Sequence, residues 1–166
     1  MDLDEGGMTV MIAPYRQTRH DPLCGHKTVN YLPRLLALSK AQDSRCGEAL
    51  WFTTENLLAE GSISNVFVVA DDVLKTPPLD TPVLAGITRA TVIDLARADK
   101  RTVTETSLTV DDLLDADEVF VTNSVMEVMP VTRVEGKGVG DEKPGQVTRR
   151  LGALYREAVK RECCLS

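Results

Sequence analysis

A chain of 166 residues with 43% hydrophobic and 27% charged side chains is long enough to bury a core without staples and too apolar to stay disordered. Its formal net charge is −6, and its lysines and arginines are scattered rather than gathered into a stripe, which excludes a nucleic-acid footprint. No apolar run approaches the roughly 20 residues that cross a bilayer, and the start Met1-Asp2-Leu3-Asp4-Glu5 lacks the basic and apolar regions of a signal peptide.

In chain order, Met8 to Tyr15 predicts a strand that stops at Pro14 or soon after, and Gln17 to Gly25, with Pro22 and Gly25, predicts a loop. Asn30 is placed to cap a helix with Pro33 in its first turn; Leu32, Leu35, Leu36 and Ser39 would be its inward stripe, and it would end near Gly47. Strands follow at Ala49–Thr53, Leu57–Glu60, Asn65–Ala70 and, after an Asp71-Asp72 turn, Val73–Thr76. Pro77, Pro78 and Pro82 mark an extended loop. Gly86 opens a second helix to about Ala98, with Ile87, Ala90, Ile93 and Ala96 on one face. Thr102–Thr106 is a strand, and Thr109 with Asp112 makes a capping box for a short helix, Val110–Leu114. Strands Glu118–Thr122 and Val128–Val134, turns at Gly136, Gly138 and Gly140, and a helix from about Pro144 complete the chain; Val147, Leu151, Leu154 and Ala158 form its inner face, with Arg161 at the edge. Short hairpins mixed with a few helices, without regular βαβ alternation, predict an α+β fold.

Four segments could carry chemistry. Lys40, Lys75, Lys100, Lys137, Lys143 and Lys160 sit among polar neighbours and read as solvated charges. Lys27 lies between largely uncharged flanks just before a helix start, and a desolvated lysine is a nucleophile. Glu60-Gly61-Ser62-Ile63-Ser64-Asn65 is either a hairpin turn or a strand end aiming a carboxylate at a cationic ligand. Gly86-Ile87-Thr88-Arg89 at a helix start suits a phosphate, or is an ordinary glycine cap. Thr122-Asn123-Ser124 after a strand offers hydroxyls and an amide to a phosphate or carboxylate, or makes a turn. Cys24, Cys46, Cys163 and Cys164 show no CxxC spacing, and Cys163 and Cys164 are adjacent, so all four read as reduced thiols of a cytoplasmic protein, with no metal site.

In this order the segments resemble the class-IV aminotransferases, a pyridoxal 5'-phosphate family that includes D-amino-acid and branched-chain aminotransferases and aminodeoxychorismate lyase. The likeness is carried by His26-Lys27-Thr28-Val29-Asn30-Tyr31-Leu32-Pro33, Leu58-Ala59-Glu60-Gly61-Ser62-Ile63-Ser64-Asn65-Val66-Phe67, Thr76-Pro77-Pro78 with Leu84-Ala85-Gly86-Ile87-Thr88-Arg89, and Ala116-Asp117-Glu118-Val119-Phe120-Val121-Thr122-Asn123-Ser124 with Pro130-Val131. It runs from about Lys27 to Tyr155. It implies the larger, barrel-like C-terminal domain of fold-type IV enzymes (residues 19–166), preceded by an interdomain remnant and first strand (1–18), with the N-terminal α/β domain absent. It implies Lys27 as the Schiff-base lysine and catalytic base, and Glu60 as partner of the pyridine nitrogen. It also implies a cofactor site formed by Tyr31, Ser64, Asn65, Gly86, Ile87, Thr88, Asn123 and Ser124. For Tyr31 an amphipathic role at the helix start is equally open. The expected partners are a small amino substrate and a second copy of the chain, with neither nucleic acid nor membrane. The Asn123-Ser124 pair leans the reaction toward aminodeoxychorismate lyase, which releases pyruvate and leaves 4-aminobenzoate in the folate pathway; Met126 and Met129 would then wall a ring-bearing substrate, or simply pack in the core. A branched-chain or D-amino-acid aminotransferase is the alternative, and a catalytically inactive binding domain the second.

Overall fold

The computed structural model describes residues 6–163. Its elements are β1 (Met8–Gln17), α1 (Leu32–Asp43), β2 (Glu48–Thr53), β3 (Leu58–Gly61), β4 (Asn65–Ala70), β5 (Val73–Thr76), α2 (Ile87–Ala98), β6 (Val103–Glu105), α3 (Val110–Leu114), β7 (Glu118–Asn123), β8 (Glu127–Val134), β9 (Lys137–Gly138) and α4 (Gln146–Glu162). One mixed sheet runs β3-β2-β1-β8-β7-β4-β5-β6, with β9 hung on β8. It curves into a half-barrel accompanied, among the described residues, by four helices, the α+β architecture that the sequence predicts.

Strand alternation sorts side chains onto two faces. Val66 and Val68 of β4 and Val119 and Val121 of β7 join Leu50, Leu58, Leu113 and Val131 in one cluster. Phe67, Val69 and Phe120 point the other way, onto Val92 and Ile93 of α2 and Val147 and Leu151 of α4. The Phe67 and Phe120 rings stack across neighbouring strands at 4.8 Å. Burial of this apolar surface is the main source of stability.

Several local expectations hold for the reasons that prompted them. Asp71 and Asp72 both adopt positive φ (53° and 61°) in the β4–β5 hairpin, the conformation a tight hairpin turn requires. The Thr109–Asp112 capping box forms in both directions.

Others are corrected. β1 passes Pro14 and continues to Gln17: the pairing with β2 shifts between Ile12 and Arg16, then resumes at Arg16 and Gln17. Proline only removes a donor, and a local irregularity absorbs it. The N-cap of α1 is Tyr31, not Asn30, and the helix ends at Asp43, short of Gly47. Its inward face is Ala37 and Ala41, packed on Ala13, Ala49 and Trp51; Leu32, Leu35, Leu36 and Ser39 are not part of it, and the three leucines are exposed. Small side chains on both surfaces let the helix backbone approach the strands, and this packing overrides the leucine periodicity. On α2 the buried face includes Arg89, Val92, Ile93 and Ala96, whereas Ile87 and Ala90 are exposed. Arg89 turns inward because its guanidinium donates to Pro77 O and Glu105, so a charged residue holds a position that polarity alone assigns to the surface. The Glu60–Asn65 segment is not a simple hairpin: β3 pairs with β2, while β4 lies between β7 and β5.

Candidate active site

The four segments converge. A cleft of about 810 Å³ is lined by Lys27, Tyr31, Glu60, Thr88, Asn123 and Ser124, among others. Topology explains the meeting. The end of β3 delivers Glu60, the end of β7 delivers Asn123 and Ser124, α2 starts from the loop after β5, and the 18–31 segment and the start of α1 line the remaining wall.

Glu60 lies deep in the wall, with its side chain 8% exposed. Oε1 accepts from Arg34 at 2.6 Å, and Oε2 accepts from the Leu84 amide at 2.9 Å. Burial pushes its carboxyl above the usual carboxylate range, against the pull of the Arg34 guanidinium and the Leu84 amide. The Tyr31 hydroxyl donates to Ser62 O at 2.8 Å. Burial raises its phenol, with Arg34 opposing and Glu60 and Glu48 adding to the rise.

Beneath the Glu60–Asn65 segment lies Glu48, fully buried. Its Oε1 accepts from the amides of Ala49 and Ser62, and its Oε2 accepts from the Ile63 amide and the Ser64 hydroxyl. Burial raises this carboxyl, while the Ser64 hydroxyl and the three amides draw it down. The carboxylate thus ties the segment to β2, and a side chain on Gly61 would run into Ser64 and Glu48. Glu48→Gln would turn an NH2 group toward two of these donors. We expect it to cost about 3 kcal/mol, from buried donors left unpaired; a denaturant midpoint equal to that of the wild type would contradict the role.

Asn65 reaches the other wall, its Nδ2 donating to Leu84 O at 2.8 Å. Its carbonyl sits against the Gly86 Cα, where any Cβ would collide with it. Glycine is therefore required at the start of α2 by close approach. No side chain caps that helix. The N-terminus of α4, by contrast, is closed by Glu118, which accepts from the amides of Val147 and Thr148. Thr88 is buried, with its hydroxyl 3.4 Å from Tyr155 Oη, whereas Ile87 and Ser124 are exposed. Thr122 Oγ1 is buried beside the cleft without a hydrogen-bond partner among the described residues.

Two expectations change. Lys27 lines the cleft but is exposed; the described residues do not supply the desolvation inferred from its neutral flanks, because residues 18–31 lie on the surface. The Asn123 amide is engaged internally. Nδ2 donates to Ile63 O, and Oδ1 accepts from the amides of Val125 and Met126. Asn123 lies on the cleft wall, with its amide used to pin the β7–β8 turn to the Glu60–Asn65 segment. Met129 belongs to the core and Met126 packs against it, so neither walls a substrate.

Sequence reasoning passed over Arg34, Glu48, Gln17 and Trp51. Two signals were available: Arg34 follows Tyr31 by three residues and so shares its helical face, and Glu48 stands alone before the apolar run Ala49-Leu50-Trp51-Phe52.

Comparison with known proteins agrees with this geometry. The sequence matches the amino-transferase class IV family over residues 2–134, and the chain belongs to that family. It is 36% identical over 159 residues to a D-alanine aminotransferase from Listeria monocytogenes, covering 96% of this chain and 53% of that one. It is 36% identical over 129 residues to a branched-chain-amino-acid aminotransferase from Pseudomonas aeruginosa, covering 78% and 42%. Among solved structures, a branched-chain amino acid aminotransferase from Thermobaculum terrenum in its PLP-bound holo form superposes with a TM-score of 0.89 at 30% identity, covering 96% of this chain and 53% of that chain. The chain spans about half the length of the curated relatives it matches. The cofactor of the family is pyridoxal phosphate. Among the described residues no cluster of His, Cys, Asp and Glu could hold a metal ion, and no helix is long and apolar enough to cross a membrane. Cys24, Cys46 and Cys163 are free thiols; Cys164 lies outside the described residues, as do residues 1–5 of the 1–18 segment.

Proposed function

We propose that the protein to which this chain belongs is a pyridoxal-phosphate-dependent aminotransferase acting on a small amino acid, of the D-amino-acid or branched-chain kind, with Lys27 as the cofactor-bearing residue. The observation that carries the reading is the convergence of Lys27, Tyr31, Glu60, the uncapped start of α2 and Ser124 on one cleft.

The donor set suits the cofactor. The Gly86–Thr88 backbone and the Ser124 hydroxyl offer hydrogen bonds to a phosphate at a positive helix end, and the unpartnered Thr122 hydroxyl adds polar capacity nearby. The carboxylate of Glu60 offers a charge-assisted contact to a protonated ring nitrogen. Asn65 and Ser64 serve by position: one holds the Leu84 carbonyl beside Gly86, the other holds Glu48. When bound, pyridoxal phosphate supplies an electron sink. Lys27 Nζ would serve there as the general base for the α-proton of the amino substrate, and Glu60 would hold the ring nitrogen.

The lean to aminodeoxychorismate lyase rested on the likeness of the Asn123-Ser124 pair, with Met126 and Met129 as the wall for a ring-bearing substrate or as core. With Asn123, Met126 and Met129 engaged in the turn and the core, the support moves to transamination, as the names of the relatives do. A homodimer remains part of the proposal on family likeness.

The test supplies the whole protein with D-alanine or L-leucine and 2-oxoglutarate, and separately with aminodeoxychorismate. Keto-acid formation without 4-aminobenzoate is expected; rapid 4-aminobenzoate release with no transamination would reject the reading in favour of the lyase.

A further inference from the structure

Arg34 is held more firmly than a cleft arginine needs to be. From α1 its guanidinium donates to Glu60 Oε1 at 2.6 Å, Gln17 Oε1 at 2.7 Å and Gly61 O at 3.1 Å. Its plane lies over the Trp51 ring at 4.6 Å. Gln17 is itself fixed, donating to Pro82 O at 2.6 Å. Such a set of contacts suits a planar, forked cation and is poorly met by lysine.

A buried carboxylate is costly unless a cation and hydrogen bonds compensate it. The charged or titratable groups that face Glu60 are Arg34 from α1, Glu48 from β2, and Cys24 and Tyr31 from the 18–31 loop and its end. Of these only Arg34 carries positive charge, and Glu48 opposes ionisation. Each carboxylate oxygen can accept twice. Arg34 takes one site on Oε1 and Leu84 one on Oε2, which leaves acceptor capacity for a further donor.

We infer that Arg34 is a positioning residue for Glu60: it lowers the cost of ionising the buried carboxylate and fixes its direction toward the cleft. What that carboxylate meets rests on the reading proposed above; the pairing itself is a property of this chain. Without Arg34, burial would raise the Glu60 carboxyl further. The added stability penalty is absent in acid, below the wild-type folded value that itself lies above the ordinary ~4.3, and grows as pH rises toward the higher folded value of the variant.

The experiment is thermal unfolding of the chain at pH 5 and pH 8, as wild type, Arg34→Ala, Arg34→Lys, Glu60→Gln and the Arg34→Ala/Glu60→Gln double variant. Arg34→Ala is expected to lower the melting temperature by about 10 °C at pH 8 and by much less at pH 5. Arg34→Lys should recover part of the loss, and adding Glu60→Gln should recover most of it at pH 8. A loss equal at both pH values and additive with Glu60→Gln would reduce Arg34 to packing on Trp51 and overturn the inference. If Arg34→Ala does not fold at pH 8, refolding of the double variant supports the pairing and its failure rejects it. Visible absorbance of the whole protein on titration with pyridoxal phosphate reads the cleft separately: coupling in the chain without cofactor binding by the whole protein keeps the pairing and rejects the cofactor reading.

Discussion

Replacing Lys27 with alanine is expected to remove covalent attachment of pyridoxal phosphate and to lower turnover of the whole protein by at least about 10⁴-fold, since nucleophile and general base are lost together. The fold should survive. Lys27 is exposed in the 18–31 loop, and surface changes of this kind stay within about 0.5 kcal/mol, or roughly 2 °C in a domain of this size. Absorbance of the bound cofactor and a melting curve, measured on the same sample, separate the two effects. Retained turnover in Lys27→Ala would remove the residue from the mechanism.

Glu60→Gln should lower turnover by about 10²–10³-fold, the usual loss when a preorganised electrostatic contact is removed, with cofactor still attached. The effect on stability has a pH signature. Burial raises the Glu60 carboxyl, so its contribution to stability is complete below the unfolded value and is lost as pH rises through the folded one. Glutamine does not titrate, so the cost of the substitution should be largest in acid and shrink toward alkaline pH. A constant difference in unfolding free energy from pH 4 to pH 9 would argue against the raised carboxyl, and unchanged turnover would return the segment to a purely structural role.

The parts of the molecule legible in the sequence are those with local causes. The Asp71-Asp72 turn, the Thr109–Asp112 box and the alternation along β4 and β7 each follow from side chains a few residues apart. The parts that misled are set by distant surfaces. The leucines of α1 have good helical spacing, yet Ala13 and Ala49 on β1 and β2 select the alanine face. Arg89 is buried because Pro77 and Glu105 wait for it, and Pro14 is tolerated because β2 pairs again beyond it.

The site divides in the same way. Its four segments were visible, but Lys27 is more exposed than its neutral flanks suggested. Asn123, read as a ligand or a turn, is engaged in the turn. Arg34 and Glu48, which hold Glu60 and its loop, carry no spacing motif. Their importance comes from burial beside other charges, which a linear sequence does not display. The glycines at 61 and 86 are likewise dictated by close neighbours, Ser64 and Glu48 in one case and Asn65 in the other.

The most direct test of the account is chemical. The protein is loaded with pyridoxal phosphate, reduced with borohydride and digested, and its peptides are mapped for the stable phosphopyridoxyl adduct. A single modified residue is expected, Lys27, within the Cys24-Gly25-His26-Lys27-Thr28-Val29-Asn30 segment. Stoichiometric label on another lysine, with Lys27 unmodified, would contradict it.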